Sequence, residues 1–277
     1  MVGRIIKLIS NDYTVETENG EKYVCKARGK FRNDKITPLV GDMVDFNEDN
    51  RYIMKIMDRK NQLIRPLVSN VDQAIVVTSV KYPDFSSNLL DKLLITIEFN
   101  NCLPIICFTK LDLLNEIEYN EIIKIMDYYK NIGYTVLTNN DLNLLKEIFK
   151  NKLTVFTGQS GAGKSTLLNK LDMSLNLKTN DISYALGRGK HTTRHVELIN
   201  IYDGLVADTP GFSSLDFIGM ESSDIRDNFI EFNEYKHLCK YRDCMHINET
   251  DCGVKQKVRE NIILKSRYDN YLKFIKR

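Results

Sequence analysis

The chain has 277 residues, 43% of them hydrophobic and 27% charged, with a formal net charge of +2. Those totals exclude a disordered polyelectrolyte, leave room for two or three domains, and give no general attraction to nucleic acid beyond what local patches supply. No apolar run is long enough to span a bilayer, and Arg4 and Lys7 interrupt the N-terminal apolar stretch, which is therefore no secretory signal; the chain reads as cytoplasmic.

Residues 1–67 read as short strands. Tyr13 to Glu18 and Glu21 to Val24 flank Asn19-Gly20, a two-residue hairpin signal, because both turn positions need positive φ. Val40 to Phe46 and Tyr52 to Ile56 follow as strands. About five strands in this length predict a small closed β-barrel of the OB-fold type. Lys26, Arg28, Lys30, Arg32 and Lys35 are interleaved with Gly29 and Phe31. Two readings of that stretch stay open: a nucleic-acid face, with cations for phosphate and an aromatic for stacking, or a solvated loop.

Arg65 to Asn70 reads as a linker, after which strands and helices alternate. Ala74 to Thr78, Leu103 to Phe108 and Tyr134 to Leu137 are buried-type strands. Leu90, Leu93, Leu94 and Ile97 mark one helix face, Ile122, Ile125, Met126 and Tyr129 a second, and Leu142 to Phe149 a third helix. The alternation predicts an α/β domain with a mainly parallel sheet over residues 68–218.

The sheet's organising stretch is Gly158-Gln159-Ser160-Gly161-Ala162-Gly163-Lys164-Ser165, between the apolar run Leu153 to Phe156 and a helical stretch that opens on Thr166. Strand, glycine loop and helix together form a phosphate-binding P-loop. Backbone N–H groups turn inward around phosphate oxygens, Lys164 reaches the outer phosphates, and the Ser165 hydroxyl suits Mg²⁺. A polar stretch, Ser174 to Arg194, then leads to strands at His195 to Tyr202 and Leu205 to Ala207, with a tight turn at Asp203-Gly204.

Three further stretches choose the base. Thr109-Lys110-Leu111-Asp112 ends a strand, and a carboxylate at Asp112 accepts two hydrogen bonds from guanine, a donor pair that adenine lacks. Lys110 packs its stem along the base and braces the P-loop. Asp208-Thr209-Pro210-Gly211 ends another strand; Asp208 suits water-mediated contact to Mg²⁺, and the Gly211 N–H suits a γ-phosphate. Thr192 or Thr193 supplies a second Mg²⁺ ligand. The guanine motif precedes the P-loop, the reverse of the order in ordinary small GTPases, so the domain is circularly permuted. Phe212 stands where such enzymes often place a water-orienting Gln, which leaves His191 as the candidate to orient the attacking water.

Residues 219–277 change character. Asp224 to Tyr235 reads as a helix, and Val254 to Arg277 as a basic helical tail, whose charges suit a solvated face or, beside the cysteine cluster and the barrel, contact with RNA. Between them Cys239, Cys244, His246 and Cys252 offer three thiolates and an imidazole, a complete tetrahedral set for one structural Zn²⁺.

On these motifs, above all Gly187 to Thr193, Asp208 to Phe212 and the cysteine cluster, the chain resembles the bacterial RsgA (YjeQ) family of circularly permuted, ribosome-associated GTPases. The resemblance spans nearly the whole chain: barrel, permuted GTPase, cysteine-rich C-terminal domain. It implies GTP hydrolysis stimulated by the small ribosomal subunit, contact with its rRNA, and a role in that subunit's late maturation; a monomer away from membranes is expected. Thr109 departs from the Asn of the general N-K-x-D pattern, and Thr138-Asn139-Asn140 from the S-A loop that usually backs guanine. Two other classes compete. A nucleic-acid-binding module with a vestigial nucleotide site is disfavoured by intact Lys164, Ser165, Asp112 and Asp208. A metabolic P-loop ATPase or kinase is disfavoured by Asp112.

Overall fold

A computed structural model describes residues 1–33, 36–64, 66–172, 196–208 and 217–276, with backbone alone at 32, 33 and 208. Five strands form the N-terminal barrel: β1 (Val2–Ile9), β2 (Asp12–Thr17), β3 (Lys22–Ala27), β4 (Met43–Asn47) and β5 (Tyr52–Ile56). The ring closes in the order β1-β2-β3-β5-β4-β1. Period-two alternation sends Ile5, Val15, Cys25, Val44, Phe46 and Ile53 inward, while Val24 and Lys26 face solvent. The hairpin differs from its expected form. Its loop has three residues, with Thr17 N–H donating to Glu21 O at 2.9 Å, and of these only Gly20 takes a positive φ, 81°. A type I turn closed by one left-handed residue is the next commonest hairpin link and leaves Asn19 unstrained. Phe31 lies partly buried against the core. The linker is not slack either. Val68 and Ser69 are fully buried, and the Ser69 hydroxyl donates to Asp42 Oδ1 at 2.6 Å, where Arg59 also pairs through Nε at 2.7 Å.

The α/β domain runs β6 (Gln73–Ser79), α2 (Ser87–Phe99), β7 (Leu103–Thr109), α3 (Glu116–Asn131), β8 (Thr135–Thr138), α4 (Leu142–Phe149), β9 (Leu153–Thr157), α5 (Lys164–Leu171), β10 (Glu197–Ile201) and β11 (Gly204–Asp208); a single short turn of helix, α1 (Lys30–Asn33), precedes it in the barrel. Its strand order is β10-β11-β9-β6-β7-β8, parallel throughout except for β10. Alternate residues of β6 explain the layering. Ala74 and Val76 pack under α2 and α3, whereas Ile75 and Val77 pack under α4 and α5. Helix starts follow local chemistry: the Ser86 hydroxyl caps α2, and Asn115 with Glu118 forms a capping box on α3. The β10–β11 turn is shifted from the expected Asp203-Gly204. Tyr202 and Asp203 occupy it, both left-handed, and Gly204 opens β11, where a Cβ would lie 1.9 Å from Phe149 O. Strand β1 has three partners: it pairs with β2 along its length, with a bulge between Ile5 and Lys7, while Val2 to Arg4 pair with β4 and Lys7 pairs with Glu197 of β10.

The C-terminal region holds α6 (Ser222–Asp227), α7 (Ile230–Tyr235), α8 (Gly253–Arg259) and α9 (Lys265–Ile275). Both helices expected here are broken in two. Asn228 Nδ2 donates to the Asp224 carbonyl at 2.8 Å, ending α6, and Phe229 turns into the core to stack on Phe232 with ring centroids 4.9 Å apart. In the tail, Asn261 adopts a left-handed φ of 59° between α8 and α9. The tail's charges are not all solvated: Arg267 is 0% exposed, and Lys255 Nζ donates to the Ile247 and Glu249 carbonyls. Among the described residues no helix is long and apolar enough to cross a membrane.

Candidate functional site

The loop between β9 and α5 has the form of a phosphate-binding loop. Gly158 has φ 129°, and a Cβ there would lie 2.0 Å from Val77 O, so only glycine lets the loop leave β9 against β6. Gly163, at φ 96°, is the left-handed residue that starts α5. Ser165 is buried in that helix's first turn. Lys164 Nζ folds back across the loop to the Gly158 and Gln159 carbonyls, at 2.7 and 2.8 Å. Burial lowers its pKa from 10.5 to about 8. A bound polyphosphate draws that value up again, so binding takes up a proton as pH approaches 8 from below and weakens above it. The expected result is a GDP affinity that is flat below about pH 7 and falls about tenfold per unit beyond pH 8, read by titration calorimetry in two buffers of different ionisation heat.

The second half of the site is the end of β7. Thr109 is 3% exposed, and its hydroxyl donates to Ala162 O at 2.6 Å. Lys110, left-handed at φ 63°, donates through Nζ to Gly161 O at 2.8 Å and to Tyr82 O. The last residue of β7 and the residue after it thus grip consecutive carbonyls of the P-loop. Asp112 follows in a 3-10 turn, Leu111–Leu113, and is exposed. The Thr138-Asn139-Asn140 loop is held beside it: Asn139 N–H donates to Phe108 O at 3.0 Å, and Thr138 N–H and hydroxyl both donate to Asp141 Oδ2. Because β6, β7, β8, β9 and β11 are parallel, all these strand ends share one edge of the sheet, and the Asp208 backbone ends β11 there. The Asp208 side chain, His191, Thr192, Thr193 and Gly211 lie outside the described residues. Sequence reasoning missed the segment after β6. Tyr82 is 72% exposed, its carbonyl takes Lys110, and Pro83 Cδ lies 3.5 Å from where a Cβ on Gly161 would stand. The Lys81-Tyr82-Pro83 turn signal was its only trace.

A separate cluster lies between α7 and α8. The donor atoms of Cys239, Cys244, His246 and Cys252 all fall within 4.8 Å of one another. His246 Nδ1 is 3.3 Å from Cys252 Sγ and 3.6 Å from Cys239 Sγ, and those two sulfurs are 3.9 Å apart. A tetrahedral ion with metal–sulfur bonds of about 2.3 Å needs sulfurs about 3.8 Å apart, so the set fits a metal. Burial, then the nearby Arg226 cation, lowers the His246 pKa to about 4, which keeps the imidazole neutral, the form that ligates. Glu249 fixes the loop by accepting the Met245 and Ile247 N–H groups at 2.7 Å each.

A P-loop on the middle strand, a T-K-x-D strand end gripping it, and a chain that enters the sheet at β6 define a circularly permuted P-loop GTPase. Comparison with known proteins agrees over the full length. Residues 56–218 match the RsgA GTPase model, and residues 2–53 match the RsgA N-terminal domain. The chain belongs to the RsgA GTPase family. It is 52% identical over 281 residues, covering 99% of this chain and 96% of the relative, to a protein of Oceanobacillus iheyensis named small ribosomal subunit biogenesis GTPase RsgA 2. A similarly named Enterococcus faecalis protein is 50% identical, covering 99% and 94% of the two chains. Among solved structures, YloQ, described as a circularly permuted GTPase, matches with a TM-score of 0.85 at 41% identity, covering 99% and 93% of the two chains. YjeQ from Thermotoga maritima matches at 0.86 and 34%, covering 99% and 97%.

Proposed function

We propose that this chain binds the small ribosomal subunit and its rRNA in the cytoplasm, as a monomer, and hydrolyses GTP to GDP and phosphate to assist late maturation of that subunit. The observation that carries the GTP site is the pair of grips from Thr109 to Ala162 and from Lys110 to Gly161, which make base end and phosphate loop one rigid unit. In this reading Asp112 accepts the guanine N–H groups, and the Lys110 stem covers the base. The P-loop amides from Gly158 to Gly163, with Gln159 and Ser160 at the rim, enclose the phosphates, and Thr166 follows in the first turn of α5. Lys164 neutralises the outer phosphates. Ser165, Asp208 and one of Thr192 and Thr193 would hold Mg²⁺, which when bound would supply positive charge to the phosphate oxygens. Gly211 senses that phosphate, and His191 orients the water. The Cys239, Cys244, His246 and Cys252 set holds a single structural Zn²⁺ with no position open for catalysis. The working units are residues 1–67, 68–218 and 219–277.

The small-subunit assignment is supported by the names of the full-length relatives. The test is GTP turnover with small subunits added and large subunits as control. Small subunits are expected to raise turnover by about a hundredfold, the contribution of one ordered acid–base group. Equal rates in all three mixtures would remove the reading. Competition between ATP and GTP for the free protein separates it from the metabolic kinase class.

A further inference from the structure

The C-terminal helix α9 reaches deep into the GTPase domain, and what it grips is the helix that lies against the P-loop. Arg267 is fully buried, with Nη1 donating to Asp91 Oδ1 of α2 at 2.7 Å. Its Nε and Nη2 hold both oxygens of Glu231 of α7 at 2.6 and 2.8 Å. Tyr129 of α3 completes the Asp91 shell, its hydroxyl donating at 2.6 Å. One turn along α9, Asn270 Nδ2 donates to Asp91 Oδ2 at 2.6 Å and to the Ser87 hydroxyl at 3.4 Å, and its carbonyl accepts from Asn88 Nδ2 at 3.1 Å. These contacts fall on the first turn and a half of α2. On the opposite side of that stretch, Ser86, Leu89, Leu90 and Leu93 line a narrow crevice together with Gly158 and Gln159 of the P-loop. Just ahead of α2, the Tyr82 carbonyl receives Lys110. The start of α2 is thus held between α9 and the nucleotide loop.

We propose that Asn270 and Arg267 are positioning residues for the nucleotide site, holding the start of α2, and through it the Tyr82 segment and the P-loop, in the geometry that binds guanine nucleotide. The physical reason is the cost of moving either partner. Asp91 and Glu231 come from two domains, and undocking α9 leaves both carboxylates buried without their cation. The first turn of α2 therefore has one favoured position while α9 is seated. The inference rests on the proposed guanine site and adds a dependence that the motifs do not contain: nucleotide affinity is set in part from the last helix of the chain.

The test is Asn270→Ala in the full chain, chosen because it removes the grip on Ser87 and Asn88 while leaving the Arg267 ion pairs intact. Arg267→Met is a stronger second variant, and Lys265→Ala, whose exposed ammonium pairs with Asp269 of its own helix, is the control. The dissociation constant for a fluorescent GDP is expected to rise about tenfold in Asn270→Ala and to stay put in Lys265→Ala. The KM for GTP should rise with it while kcat at saturation is kept. By reciprocity, GDP must slow amide exchange in α9 of the wild-type chain, and that protection should vanish in Asn270→Ala. A purely structural role lowers melting temperature without these effects. Wild-type GDP affinity in Asn270→Ala, or α9 exchange indifferent to GDP in the wild-type chain, overturns the proposal. Failure of the wild-type chain itself to bind GDP overturns the guanine site and the inference with it.

Discussion

Replacing Asp112 by Asn is expected to weaken GTP and GDP binding by about a thousandfold, near 4 kcal/mol, and to turn the preference toward xanthine nucleotides. A carboxylate offers two acceptors to guanine's ring N–H and exocyclic amino group. The amide offers one acceptor and one donor, and its donor then meets a donor on guanine. Xanthine carries a carbonyl where guanine carries the amino group, so the amide fits it. Lys110 and the P-loop are untouched by the change, which keeps phosphate binding intact and makes the loss a measure of base recognition. Competition against a fluorescent GDP analogue reads both sides. A variant that still prefers GTP would show that the base lies elsewhere.

The second large effect concerns the metal cluster. Cys252→Ser is expected to cut the metal content from close to one ion per chain to below about a tenth of that, and to abolish cooperative unfolding of the C-terminal region. Structural zinc sites contribute apparent binding energies of about 10–16 kcal/mol, as much as the whole stability of a typical domain. The position matters twice, because Cys252 also caps α8, its Sγ accepting from Lys255 N–H at 3.4 Å. Phe229, Phe232, Tyr271 and Phe274 pack behind the cluster, and the Tyr268 hydroxyl is tied to His246 O at 2.6 Å. Losing the ion therefore loosens the seat of α9. Cys25→Ala, deep in the barrel, is the control and should keep its metal. Elemental analysis decides; full metal in Cys252→Ser, or none in the wild-type chain, would dismiss the site.

The α/β domain was legible because its apolar runs are long and its punctuation is clear. Helix α4 spans Leu142–Phe149, the same residues that its pattern marks, and β6 and β7 extend their predicted runs by a residue or two. Glycine chemistry was legible in kind and less so in place. Gly204 reads as a turn residue, yet it is glycine because the Phe149 backbone crowds it, and the turn falls on Tyr202 and Asp203. The tail was misread for a related reason. Arg267 stands in register with Tyr271 and Phe274, at i, i+4 and i+7, which is the core stripe of α9. Charge says solvent and position says interior; only the partners, Asp91 and Glu231, decide, and both are distant in sequence. The base and phosphate motifs were readable singly, whereas the grip of Thr109 on Ala162 needed the fold.

The shared use of β1 bears on how the molecule can be divided. Strand β10 is the last of the α/β sheet, and it abuts the barrel at the Lys7–Glu197 pair. A shortened polypeptide beginning after the barrel would lose the Lys7 partner of Glu197 and lengthen the open edge that this strand offers to other copies. Seen this way, the barrel doubles as a guard on a vulnerable sheet margin, and excising it would trade solubility for simplicity.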